Sequence, residues 1–197
     1  MAAVSFTAIL VLLESLVVGP SLARQPQLAS ALLWIAVLFA ALLAATRSFD
    51  RELEDDALDA VIALPGGKDA LFAGKTLALA LLLGIVALLG TILSIGLLDL
   101  AVALPGHLLL VAVLGVAALA PVVVLVVALT VRLRARAILV PVLALPMLVP
   151  QLVASTQGSS AALAGDATGS LGWSGLLFAF ALVYAVLGLT IVPAAIE

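Results

Sequence analysis

In a chain of 197 residues, 66% hydrophobic and 10% charged with a mean hydropathy of +1.43, the balance lies far from the roughly 45–50% apolar and 25% charged residues of soluble domains, which excludes an ordinary soluble fold. A formal net charge of −3 with scattered cations excludes a nucleic-acid-binding stripe, and the absence of Cys excludes disulfides, thiol nucleophiles and thiolate metal sites. The class that remains is an all-α integral membrane protein.

Charge-free tracts locate the spans, because about 20 apolar residues are needed to cross a bilayer as a helix. Taken in chain order they cover roughly residues 4–19, 28–45, 76–98, 107–131, 137–155 and 173–193, which predicts six transmembrane helices. The first tract has no basic segment ahead of it and contains Glu14, so it reads as a retained helix rather than a cleaved signal. Glu14 lies about one and a half turns from Gly19, within snorkelling reach of the outer interface. Pro141, Pro146 and Pro150 inside the fifth tract each remove a helical donor and predict a kink.

Between the second and third tracts stands the segment TRSFDRELEDDALDAVIAL, residues 46–64. Seven of the eleven acids in the chain fall between Asp50 and Asp69. Phe49, Leu53, Ala57, Ala60 or Val61, and Leu64 recur every three or four residues, while Asp50, Glu52, Glu54, Asp55, Asp56 and Asp59 fill the other face. This predicts an amphipathic helix over 49–64, ended by Pro65 and the two glycines after it. A helix lying on anionic lipid carries Lys and Arg on its polar face, so an acidic face points to a protein partner; a solvated connector is the alternative.

Seven of the eight cations fall in two loops. Arg47, Arg51, Lys68 and Lys75 follow the second tract, and Arg132, Arg134 and Arg136 follow the fourth; only Arg24 lies elsewhere. The excess predicts that these loops are cytoplasmic and that both termini are too. The other loops contain DLAVALPG and TQGSSAALAGDATGSLG, without Lys or Arg, and the second reads as a flexible Gly/Ser-rich connector over 156–172.

The inventory argues against catalysis and against nucleotide binding by this chain. The AGKT ending at Thr76 has the close of a phosphate-binding loop, but the position that requires glycine is Asp69. No nucleophile has a paired base: the sole imidazole, His107, follows Pro105 and Gly106 at the outer edge of the fourth tract, and Glu14 and Asp99 both fall near outer helix ends. His107 reads first as an interfacial residue and is the one candidate imidazole for haem iron. Trp34 and Trp173 are isolated, Trp173 placed as an interface anchor. Any energy coupling must then come from a partner.

The stretch LLWIAVLFAALLAATRSFDRELEDDALDAVIALPGGKDALFAGK, followed by VRLRARAILVPVLALPMLVPQLV, resembles the CcmB family, the membrane permease subunit of the ABC-type haem exporter of c-type cytochrome maturation. The features that carry the resemblance are the acidic helix running into Leu64, Pro65, Gly74 and Lys75, the basic cluster after the fourth span, and the three prolines. Two departures stand beside it: family members begin with a basic interfacial helix and end in an acidic tail, here reduced to Glu197. The resemblance implies a six-helix subunit of the ABC-2 permease type in the cell membrane, multi-pass, paired with a second copy of itself. It implies an ATPase subunit that binds ATP, further membrane proteins of cytochrome c maturation, and haem as cargo. The coupling interface would comprise Phe49, Leu53, Glu54, Asp55, Asp56, Asp59 and Leu64. Two alternatives share parts of this reading: an ABC-2 exporter of lipid or drug, and a passive membrane scaffold without an ATPase.

Overall fold

The computed structural model describes residues 2–17, 25–54, 57–131, 133 and 136–195, with side-chain surroundings for all of these except 2–4, 14, 15, 17, 51–54, 57–59, 136, 137 and 195. Among the described residues the regular elements are helices: α1 (Ala2–Val17), α2 (Pro26–Glu54), α3 (Ala57–Ile62), α4 (Gly67–Leu98), α5 (Pro105–Thr130), α6 (Arg136–Ala164) and α7 (Ala167–Ala195). Five of them, α2, α4, α5, α6 and α7, are long and apolar enough to span a membrane. α1 has 16 residues, about 24 Å of helix against a hydrocarbon core of about 30 Å. It packs against α2 and α4, where Phe6 meets Phe39 edge to face at 6.4 Å.

α5 is the axis of the bundle, in contact with α2, α4, α6 and α7. Every residue from Ala118 to Ala128 is buried, as expected of a helix apolar on all sides and surrounded by others. α4, α6 and α7 instead turn long apolar side chains outward, among them Leu81, Ile85, Val142 and Val183, which suits a hydrocarbon solvent. Pro141, Pro146 and Pro150 lie within the continuous α6, with Pro146 and Pro150 on its exposed side.

The spans run antiparallel, so the bundle has two distinct ends. At one, residues 46–50 of α2 share a pocket with Val127 and Val131 of α5 and Val140 of α6. At the other, Ser30 of α2, Ser94 of α4, Leu108 of α5 and Ser159 of α6 line a common cavity. The first end carries Arg47, Lys68 and Lys75, so the cations read from the two basic loops, as far as they are described, gather together.

Two expected boundaries are corrected. The helix expected to stop at residue 45 continues without a break to Glu54, because Trp34, Leu38, Ala41, Ala45 and Phe49 form one buried stripe at helical spacing that carries α2 past the apolar tract. The connector expected over 156–172 is not a flexible loop. α6 runs to Ala164 and α7 starts at Ala167, leaving a two-residue turn in which Gly165 adopts φ 87° and the Asp166 amide donates to the Ala161 carbonyl at 2.9 Å, a Schellman closure. Asp166 then caps α7 by accepting from the Gly169 amide at 2.9 Å. Several small residues of this run are packing residues: Gly158 abuts Val111 and Trp173, and Ser159, Ser160 and Ser170 are buried.

Hydrogen bonds join the helices in the bundle interior. Trp34 Nε1 donates to Ser159 Oγ at 3.0 Å, linking α2 to α6. Gln151 Nε2 donates to the Gly115 carbonyl and to Ser155 Oγ, each at 3.0 Å, linking α6 to α5. Gly115 is required here, since a Cβ would collide with the indole of Trp34.

Candidate coupling site

The acidic segment grows out of the end of α2. Thr46 Oγ1 donates to the Leu42 carbonyl at 2.8 Å, keeping its hydroxyl within the helix, and Phe49 one turn on is 2% exposed. Lys75, from the third turn of α4, reaches across to α2: its Nζ donates to the Ser48 carbonyl at 3.0 Å and to Ser48 Oγ, and lies 4.9 Å from the centre of the Phe49 ring. One ammonium thus satisfies a backbone acceptor and a hydroxyl and rests on an aromatic face, in a half-buried setting where cation–π attraction adds about 0.5–2 kcal/mol. This contact fixes where α2 leaves the bundle relative to where α4 enters it.

Between them, α3 and a tight turn form the tip. The Leu64 amide donates to the Val61 carbonyl at 3.2 Å and the Gly67 amide to the Leu64 carbonyl at 2.9 Å, so the chain reverses within a few residues. Gly66 stands at φ 72°, a left-handed conformation that favours glycine, and a Cβ at Gly67 would collide with the Val61 carbonyl. Leu64 is 61% exposed at this tip, while Val61 and Ile62 pack partly against the core. Asp69, exposed in the first turn of α4, complements the positive end of that helix dipole.

The expected interface residues therefore divide. Phe49 faces inward and braces α2, the consequence of the continuous buried stripe, so it supports the tip from behind instead of presenting itself to a partner. Leu64 is presented. Leu53 and Glu54 close α2 and Asp59 lies in α3, with side chains outside the described residues; Asp55 and Asp56 lie outside the described residues altogether. Glu14 lies on α1 with its side chain likewise outside them.

Two cavities flank this end. One of about 260 Å³ is lined by Thr46, Phe49, Asp50, Val127, Thr130, Val131 and Val140. The other, about 110 Å³, is lined by Ser48, Phe49, Lys75, Leu79, Leu82 and Val124 among others. His107 lies at the far end, half-buried in the first turn of α5. Sequence reasoning missed two features: Lys75 counted only as a loop cation and as part of a family motif, and Trp34 stood as an isolated aromatic. For Lys75 the available signal was its place at the head of a long apolar tract, where an ionisable group needs a named partner.

A bundle of apolar spans around a buried central helix, joined by interior hydrogen bonds and bearing a braced, exposed turn at its basic end, is an all-helical integral membrane protein of the polytopic kind. The family model for the CcmB protein matches residues 1–197, and the chain belongs to the CcmB family. It is 34% identical over 149 residues to heme exporter protein B of Rhodobacter capsulatus, a match covering 76% of this chain and 68% of the relative.

Proposed function

We propose that this chain is the membrane permease subunit of an ABC-type exporter acting in haem delivery for cytochrome c assembly, driven by an ATPase on a separate subunit. The observation that carries the coupling part is the Lys75 contact with Ser48 and Phe49, which ties the exposed turn at Leu64 to the first two long spans. The cargo part is supported by membership of the CcmB family and by likeness to a heme exporter protein.

In this reading α1 serves as the first of six spans, the basic end and both termini face the cytoplasm, and a second copy completes the permease. The ATPase receives the turn in a surface cleft. Leu64 and Leu53 supply apolar contact, Glu54, Asp55, Asp56 and Asp59 select the partner by charge, and Phe49 passes the displacement to α2. ATP binds on the ATPase alone, haem is cargo, and the remaining cytochrome-maturation proteins of the membrane join the same complex. His107 is an interfacial residue of the outer face.

Affinity capture of the ATPase of the same cytochrome-maturation system, across a salt series, tests this. Joint E54K, D55K and D56K reversal is expected to weaken capture about tenfold at low salt, from roughly 0.5 kcal/mol per exposed charge, and to recover partly as salt rises. Leu53→Asp is expected to weaken capture at every salt concentration. Wild-type protein that captures no ATPase would make the chain a passive scaffold.

A further inference from the structure

Hydroxyls in this bundle bond their own helix by default. Thr46, Thr91, Thr130, Ser174 and Thr190 each donate to the carbonyl four residues earlier, the usual way an apolar helix hides a hydroxyl. Ser30 on α2 and Ser94 on α4 depart from this. Both are buried, at 2% and 3% exposure, and neither Oγ has a hydrogen-bond partner among the described residues.

The two residues border the same space. They line a cavity of about 20 Å³ together with Ser159 of α6, and Leu33, Thr91, Leu100, Leu108 and Leu163 are among its other walls. Ser159 Oγ accepts from Trp34 Nε1, which leaves its own proton and a lone pair available. An unpaired buried hydroxyl costs on the order of 1–3 kcal/mol, more so where no solvent can relieve it. A pocket that can hold one water needs about 10–15 Å³ and two to four polar partners. The volume meets that requirement, and three serines among the lining residues offer the polar groups in walls that are otherwise apolar.

We propose that the pocket formed by Ser30, Ser94 and Ser159 is a binding site for an ordered water molecule that bridges α2, α4 and α6. The water donates to two of the hydroxyls and accepts from the third. Ser30 lies about a turn from the start of α2, and Ser94 and Ser159 about a turn or slightly more from the ends of α4 and α6, so the site is about 6–8 Å below the helix ends and within reach of the interface. The α2–α4 pair is then tied at both ends, by an ammonium at one and by water at the other. Water bonds exchange partners readily, so the second tie holds the helices together while letting one shift along the other.

X-ray radiolytic labelling of the full chain in nanodiscs, with isotopically heavy water mixed in at varied delays, tests the site. Hydroxyl radicals generated at a bound water mark the side chains around it. Leu33, Leu108 and Leu163 are expected to label several-fold above Leu119 and Leu125 of the central core, with slow uptake of the heavy isotope. In the Ser30→Ala, Ser94→Ala double variant their labelling is expected to fall to the core level. Should the double variant fail to fold, Ser94→Ala alone is read in the same way. Labelling of Leu33, Leu108 and Leu163 no greater than that of Leu119 in the wild-type chain, or undiminished in the variants, overturns the proposal.

Discussion

At the end that holds Trp34 and Ser159, helices are joined by side-chain hydrogen bonds and a two-residue turn; at the end that holds Phe49 and Lys75, cavities of about 260 and 110 Å³ share a single ring as a wall. The same helices are therefore held by different physics along their length. Directional bonds define one arrangement at the far end. Around Phe49 the cavity walls forgo dispersion contacts, so at the basic end the Lys75 bonds to Ser48 carry more of the burden of holding α2 against α4. Under the proposed coupling, a push received at the basic end would act against a frame held at the other.

The sharpest break in the comparison would be a failure of the two ends to lie on opposite sides of the membrane. The chain has no cysteine of its own, so single cysteines report without background. Cysteines at Ala63 and Leu133 are expected to be shielded from impermeant reagents in intact cells, and those at Ala101 and Ala164 to label fully. Labelling of Ala63 from outside would invert the assignment.

Next in size come two glycines that each seat an aromatic ring. A Cβ at Gly115 would strike both the Trp34 ring and Ser155 Oγ, and one at Gly188 would strike the Phe72 ring. Gly115→Ala is expected to destabilise by about 3 kcal/mol, from overpacking plus loss of the Trp34 bond, and Gly188→Ala by about 1 kcal/mol, because Phe72 has no side-chain hydrogen bond to lose. Thermal unfolding in detergent checks the order. Equal losses would mean that the two ends are equally rigid.

Lys75→Met keeps length and apolar bulk while removing the bonds to Ser48. Stability is expected to fall by about 1 kcal/mol or less, with a larger loss in ATP hydrolysis coupled to the complex. Parallel losses in both would reduce Lys75 to a packing residue. The smallest expected effect is that of His107→Ala, which should leave assembled cytochrome c near the wild-type amount at normal protein level; a clear deficit would give the imidazole a role on haem.

The membrane class, the position of most spans and the gathering of the described cations at one end were legible because each follows from local composition. Boundaries were less so. Arg47 to Glu54 ended the apolar tract but not the helix, since charged residues form helices readily and the buried stripe through Ala45 and Phe49 continues beneath them. The Gly/Ser run over 156–172 misled for a reason specific to membranes. In water such composition marks a loop, whereas in lipid small residues mark close helix contact, as Gly158 and Ser159 do here. The candidate coupling residues were the least legible. Whether Phe49 points at a partner or into the bundle depends on where the helix began twenty residues earlier.

The turn at Gly165 and Asp166 also bears on how the protein is made. With two residues between them, α6 and α7 leave no loop to be threaded across the bilayer separately, so they enter it as one hairpin. α6 is the least apolar of the five long spans and contains Gln151, Ser155, Ser159 and Ser160. Two of their hydrogen-bond partners are older in the order of synthesis: Trp34 and the Gly115 carbonyl belong to helices already delivered when α6 leaves the ribosome. The N-terminal helices thus act as a template that receives a polar hairpin lipid alone would accept poorly, and truncating the chain after α5 would leave Trp34 without its acceptor in hydrocarbon.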